Sequence, residues 1–224
     1  MRVLAIILLL VSVACKGGPE PSPPAPPATP SAPPVVRISK SPRIVFLGDS
    51  LTAGLGLAQE QNYPSLIGKR LKDQGYDYEV VNAGVSGDTS AGGLRRLDWS
   101  LDGDVRVLIV ALGANDGLRG LPISEMKKNL AAVLDRAREK RIPVILAGME
   151  APPNNGPDYT RDFRAVYADL AQEYNVRFIP FLLQGVAGDP ALNQADGIHP
   201  NVRGAEIVAD LVWKELAPMV RRPN

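Results

Sequence analysis

Val105–Leu112 (VRVLIVAL) places one charged residue among bulky aliphatic ones. A run like this is buried on both faces, which an antiparallel sheet with one wet side does not require but a parallel sheet covered by helices does. The rest of the chain agrees. Short β-branched or apolar runs recur at Arg43–Leu47, Tyr78–Val81, Ile142–Ala147 and Val176–Ile179. Helical periodicity falls between them, at Tyr63–Gln74, Ser90–Leu101, Ser124–Arg141 and Tyr159–Tyr174, and once more at Val202–Leu216. In Ser124–Arg141 the residues Met126, Leu130, Val133, Leu134 and Ala137 share a face, and Ser124 is placed to cap. Strands alternating with helices predict an α/β fold, a three-layer α/β/α sandwich. Five strands predict a flavodoxin-like parallel sheet in the order 2-1-3-4-5, with ligands bound beyond the carboxyl ends of the strands.

The first forty residues do not share this pattern. Arg2 precedes an apolar run, Val3–Ala14, that is too short to span a bilayer and matches a secretory signal. Its ending, Ser12-Val13-Ala14-Cys15, has two readings. The small residues suit an ordinary signal peptidase cut, whereas Cys15 suits the lipid-bearing first residue of a bacterial lipoprotein. Nine prolines in the 16 residues Pro19–Pro34 make an extended polyproline II spacer rather than a core. The expected organisation is a signal peptide at 1–15 with a lipobox-like end, a Pro-rich linker at 16–41 and a catalytic domain at 42–224. It implies export across a bacterial inner membrane, to a periplasmic or membrane-anchored location.

Composition narrows the chemistry. With 25 basic and 24 acidic residues the chain has no electrostatic footprint for nucleic acid. One cysteine and one histidine leave no disulfide framework, and no cysteine or histidine cluster for a metal. Neither a metal nor an organic cofactor is expected, and no obligate protein partner.

The strand ends carry the reactive residues. Gly48-Asp49-Ser50-Leu51 follows the first strand, Asn82–Thr89 the second and Gly113-Ala114-Asn115-Asp116 the third; Asp196-Gly197-Ile198-His199-Pro200 precedes the last helix. Acyl transfer needs a nucleophilic hydroxyl, a base, a group that orients the base and oxyanion donors. His199 is the only imidazole, so any Ser–His mechanism uses it, and Asp196 lies close enough to set its tautomer. Ser50 at a strand-to-helix turn supplies the hydroxyl. Its own N–H, the unobstructed N–H of Gly84 and the Asn115 side-chain amide supply three donors. A phosphate-binding reading of Gly48–Gly56 fails for want of the Lys-Ser/Thr pair. The Gly-x-Ser-x-Gly elbow is absent as well, since position 52 is Thr.

These four segments resemble the blocks of the SGNH (GDSL) hydrolase family. The resemblance implies Ser50 as nucleophile, Asp196 and His199 as its partners, and Ser50, Gly84 and Asn115 as the oxyanion hole. Val80–Leu97, Leu112–Gly120 and Asp196–Asn201 are similar to the periplasmic acyl-CoA thioesterase/lysophospholipase/arylesterase branch, and the likeness extends over most of 43–221. It implies a serine esterase or thioesterase acting on small-molecule or lipid acyl esters through an acyl-serine intermediate. The amino-terminal tether, with a membrane anchor at Cys15, departs from that branch. Two alternatives stay open: a carbohydrate O-acetylesterase, and a non-catalytic envelope lipoprotein. Leu51, Leu55, Leu57, Leu118 and Leu121 are candidates for an acyl pocket or for the core.

Overall fold

The structure is a computed structural model that describes residues 41–222. The expected signal peptide, Cys15 and residues 16–40 of the expected linker lie outside the described residues. Five parallel strands, β1 (Arg43–Gly48), β2 (Glu79–Gly84), β3 (Val105–Ala111), β4 (Val144–Ala147) and β5 (Arg177–Ile179), form one sheet in the order β2-β1-β3-β4-β5. The helices are α1 (Ser50–Ala53), α2 (Tyr63–Asp73), α3 (Ser90–Arg95), α4 (Leu97–Ser100), α5 (Ala114–Leu118), α6 (Ile123–Glu139), α7 (Pro157–Tyr174) and α8 (Val202–Leu216). α2 packs beside α8, while α6 packs against both α3 and α7, so helices cover both sides of the sheet. Among the described residues no helix is long and apolar enough to cross a membrane.

The expected strand at 105–112 is the centre of the core. Every residue of β3 except Arg106 is buried, and so are Ile44, Val45, Phe46 and Leu47 beside it on β1. At about 1.5–3 kcal/mol for each fully buried large aliphatic side chain, these two strands anchor the domain. The predicted faces of α6 and α7 are the buried ones: Met126, Leu130, Val133, Leu134 and Ala137 on α6, and Phe163, Val166, Tyr167 and Leu170 on α7.

Two expectations fail locally. The single helix expected over Ser90–Leu101 breaks at Arg96 (φ −105°, ψ 7°) into α3 and α4. Gly92 and Gly93 weaken its first turn, and the Arg96 side chain is drawn away to the sheet edge. Ser124 does not cap α6. The helix starts one residue earlier, at Ile123, behind Pro122, whose fixed φ starts the turn without a side-chain hydrogen bond.

Candidate active site

All four motif segments meet at the carboxyl edge of the sheet. The β1 strand ends at Gly48, and Asp49 accepts from the Leu51 N–H (3.0 Å), which starts the short helix α1 with Ser50 as its first residue. This turn packs tightly. A Cβ at Gly48 would lie 2.0 Å from Thr52 Oγ1, and one at Gly84 would lie 2.2 Å from Ala53 N. Gly84 therefore lets the end of β2 and the nucleophile turn approach backbone to backbone, while Gly48 leaves room for the buried Thr52 side chain. Thr52 is buried and shares a 2.8 Å hydrogen bond with the Tyr63 hydroxyl.

His199 reaches the site on a turn built by Asp196. Asp196 Oδ1 accepts from the N–H groups of Ile198 (3.0 Å) and His199 (3.1 Å). Gln194 Nε2 donates to Leu55 O (2.7 Å) and Pro200 O (2.9 Å), tying the histidine turn to the end of α1. His199 Nδ1 then lies 2.6 Å from Asp196 Oδ2, and Nε2 lies 2.8 Å from Ser50 Oγ. The two residues expected to serve the nucleophile, 146 and 149 positions away in sequence, are thus brought into line with it. The His199 side-chain hydrogen bond and two backbone N–H bonds hold the Asp196 carboxyl down at about 2, so it stays ionised.

The expected oxyanion donors sit at the same edge, but two of them are engaged. The Gly84 N–H, expected to be unobstructed, donates to Asn82 Oδ1 (2.9 Å), because the side chain of Asn82 folds back over the strand end while its Nδ2 holds Thr52 O (2.8 Å). A substrate oxygen there has to share or displace that bond. Asn115 Nδ2 donates to Asp88 O (3.0 Å) and makes a longer bond to Asp49 Oδ2 (3.4 Å). Asp49 is 1% exposed, and burial pushes its carboxyl up to about 6 against the opposing effects of the Leu51 N–H and the nearby His199 charge. Asp116, within the motif of the third loop, is buried and turned away from Ser50; it accepts from the Ser90 N–H (2.7 Å) and hydroxyl (2.6 Å).

A cavity of about 440 Å³ opens onto Ser50 and His199. Of the five candidate leucines, Leu51 and Leu118 line it. Leu55 and Leu57 line a separate niche of about 10 Å³ behind the Ser–His pair, and Leu121 lines neither. Much of the apolar wall is Met149, Ala151 and Pro152 after β4, and Phe181, Leu183 and Ala187 after β5. Sequence reasoning missed these residues because an apolar side chain in a loop has no periodicity to mark it. It also missed Asn82, Asp88, Arg96 and Gln194, whose roles depend on partners far away in sequence. Among the described residues, no three His, Cys, Asp or Glu side chains come together as a metal-binding group.

A parallel sheet whose carboxyl edge carries a hydroxyl, an imidazole and a carboxylate in hydrogen-bonded line, without a Gly-x-Ser-x-Gly elbow, defines a serine-type hydrolase outside the α/β-hydrolase fold. Residues 46–207 match the model of the GDSL-like lipase/acylhydrolase family. The chain is 44% identical to esterase TesA of Pseudomonas aeruginosa over 178 residues, covering 79% of this chain and 89% of that protein. It is 35% identical to thioesterase 1/protease 1/lysophospholipase L1 of Escherichia coli over 189 residues, covering 84% and 89%. The crystal structure of the psychrotrophic esterase EstA from Pseudoalteromonas sp., inhibited by monoethylphosphonate, superposes with a TM-score of 0.75 at 33% identity, covering 79% of this chain and 97% of EstA. The chain belongs to the GDSL-like lipase/acylhydrolase family, and it is a carboxylic ester hydrolase.

Proposed function

We propose that this enzyme hydrolyses aliphatic acyl esters and thioesters, lysophospholipids and aryl esters among them, through an acyl-Ser50 intermediate. The observation that carries the reading is the 2.8 Å Ser50–His199 and 2.6 Å His199–Asp196 relay opening into an apolar cavity. His199 Nε2 takes the Ser50 proton as Oγ attacks the carbonyl carbon. Negative charge that develops on the carbonyl oxygen is met by the Ser50 N–H, the Gly84 N–H and Asn115 Nδ2. The tetrahedral adduct collapses, the bond to the leaving oxygen or sulfur breaks, and the imidazolium returns the proton to that atom. Water, deprotonated by the same imidazole, then attacks the acyl carbon; the bond to Ser50 Oγ breaks, the imidazolium returns the proton to that oxygen, and the acid leaves. Asp196, ionised throughout, orients the ring and stabilises its charged form.

The names of two relatives, an esterase and a thioesterase/lysophospholipase, support the ester, thioester and lysophospholipid part of this range. We further propose that residues 1–15 direct export and that Cys15 carries a lipid, with 16–41 as spacer to a domain starting at 42.

Chain-length preference on p-nitrophenyl esters tests the substrate reading. Each methylene buried in the cavity gains about 0.8 kcal/mol, or about fourfold in kcat/KM where all of it reaches the transition state. Activity is expected to climb from acetyl to at least butyryl or hexanoyl and then level off. An acetyl optimum with a tenfold drop at butyryl overturns it in favour of an O-acetylesterase.

A further inference from the structure

Arg96, at the break between α3 and α4, reaches three separate segments with one guanidinium. Nε donates to Asp88 Oδ2 (2.7 Å), Nη1 to Ala83 O (2.6 Å) and Nη2 to Gly48 O (2.7 Å). Arg96 and Asp88 are each only 18% exposed in their side chains, so the pair is shielded from screening water. Each acceptor is coupled to one of the donors assigned above. Ala83 O and the Gly84 N–H belong to one conjugated peptide group; charge-assisted donation to its oxygen makes that N–H a stronger donor and fixes its plane. Gly48 O, which also accepts from the Val85 N–H (3.0 Å), ends the strand from which Asp49 and Ser50 turn. Asp88, held by Arg96 at its carboxylate and by its own N–H on Val85 O (3.1 Å), presents the carbonyl that seats Asn115 Nδ2.

We infer that Arg96 is the positioning residue of this site: through three hydrogen bonds it sets the relative places of the Ser50, Gly84 and Asn115 donors around the reacting carbonyl oxygen. It does not touch substrate. Arginine is required because its planar fork spans three acceptors at once, whereas a lysine ammonium is a point donor on a flexible stem. The helix break follows from the same demand, since Arg96 turns its side chain towards the strand ends while Leu97 and Leu101, on the next turn, stay buried in the core. The inference rests on the oxyanion assignment under the proposed function.

The test compares full-length wild type with Arg96→Gln/Asp88→Asn, in which both members of the ion pair become neutral, so that no unpaired charge is left inside. It measures kcat and KM on p-nitrophenyl butyrate and the Ki of an alkyl trifluoromethyl ketone. Ser50 Oγ adds to that ketone, its proton passes to His199, and the resulting oxyanion occupies the hole. Displaced donors are expected to lower kcat by about 10²-fold with KM within about threefold, since a shift of about 1 Å costs about this much. The Ki should weaken by the same factor, and Asn115→Ala should cost less than about tenfold on top. A purely structural role lowers the melting temperature and leaves kcat and Ki of the folded fraction unchanged. Should the double variant not fold, Arg96→Lys, which keeps the charge beside Asp88, is read in the same way, with at least about a tenfold loss of kcat expected. A folded variant with kcat and Ki within about threefold of wild type overturns the inference, and so does a loss confined to KM. An active Ser50→Ala variant would instead bring down the functional reading itself; an inert one beside unaffected Arg96 variants brings down this inference alone.

Discussion

Replacing Asp49 by asparagine exchanges one oxygen for an NH₂ group at a site 1% exposed to solvent, directly beside the proposed nucleophile. Burial raises the Asp49 carboxyl from 3.8 to about 6, opposite in sign to the usual surface aspartate. Between these values the folded protein binds a proton that the unfolded chain does not, so stability contributed by this group falls as pH rises. It is fully present below about 3.8 and lost above about 6. Linkage over this window amounts to about 2 kcal/mol between pH 4 and pH 7. The replacement amide cannot ionise, so the stability difference between variant and wild type should shift in the variant's favour by that amount across the window. Changes in hydrogen bonding add an offset that does not vary with pH and drops out of the comparison. Urea unfolding of both proteins at half-unit steps of pH measures it, and thermal melts should show the same trend as about 4–8 °C. A stability difference that stays flat from pH 4 to pH 7 would refute the buried carboxylate. The asparagine also presents its NH₂ to Asn115 Nδ2, now a donor facing a donor. The 3.4 Å bond from Asn115 Nδ2 is then lost while its 3.0 Å bond to Asp88 O opposes a flip of the amide, so the donor is less firmly seated and kcat is expected to fall at every pH.

Ser50→Ala should remove at least about three orders of magnitude of esterase rate with little change in melting temperature, and a fluorophosphonate should label wild type at Ser50 alone; activity above a tenth of wild type contradicts the nucleophile assignment. Asn115→Ala should lower kcat by about 10²–10³ at nearly constant KM, whereas a rise in KM with kcat intact would make Asn115 a substrate-binding residue instead. Ala151→Phe, which fills the cavity wall after β4, should shift the best p-nitrophenyl ester to a shorter acyl chain, and an unchanged profile would place the acyl chain elsewhere. Cys15→Ser should release the protein from the membrane fraction; wild type found wholly soluble would leave Cys15 without a lipid.

The layer order and the strand ends that matter were legible in the chain because both rest on local pattern. A strand such as Val105–Leu112, buried on both faces, announces itself by unbroken aliphatic residues, and the faces of α6 and α7 by a period near 3.6. That Ser50, Asp196 and His199 would meet was legible for a different reason: a single imidazole leaves His199 as the one histidine to consider, and short motifs sit where a parallel sheet collects its loops. What only the tertiary structure decided are quantities that depend on partners distant in sequence. Asp49 is a carboxylate in a turn until packing takes it out of water and pushes its pKa up to about 6. Arg96 reads as one position on a helix face until Gly48 O, 48 residues away, and Ala83 O compete for its guanidinium and break that helix. Gly84 reads as an open donor until Asn82 folds onto it. The cavity wall at Met149, Ala151, Phe181 and Leu183 has no pattern of its own, since apolar residues in loops gain a function only when two strand ends bring them beside the same serine. Local pattern sets which elements form and which edge they share; burial, charge pairing and donor engagement at that edge are set by long-range contacts, and they arise only once the chain has closed.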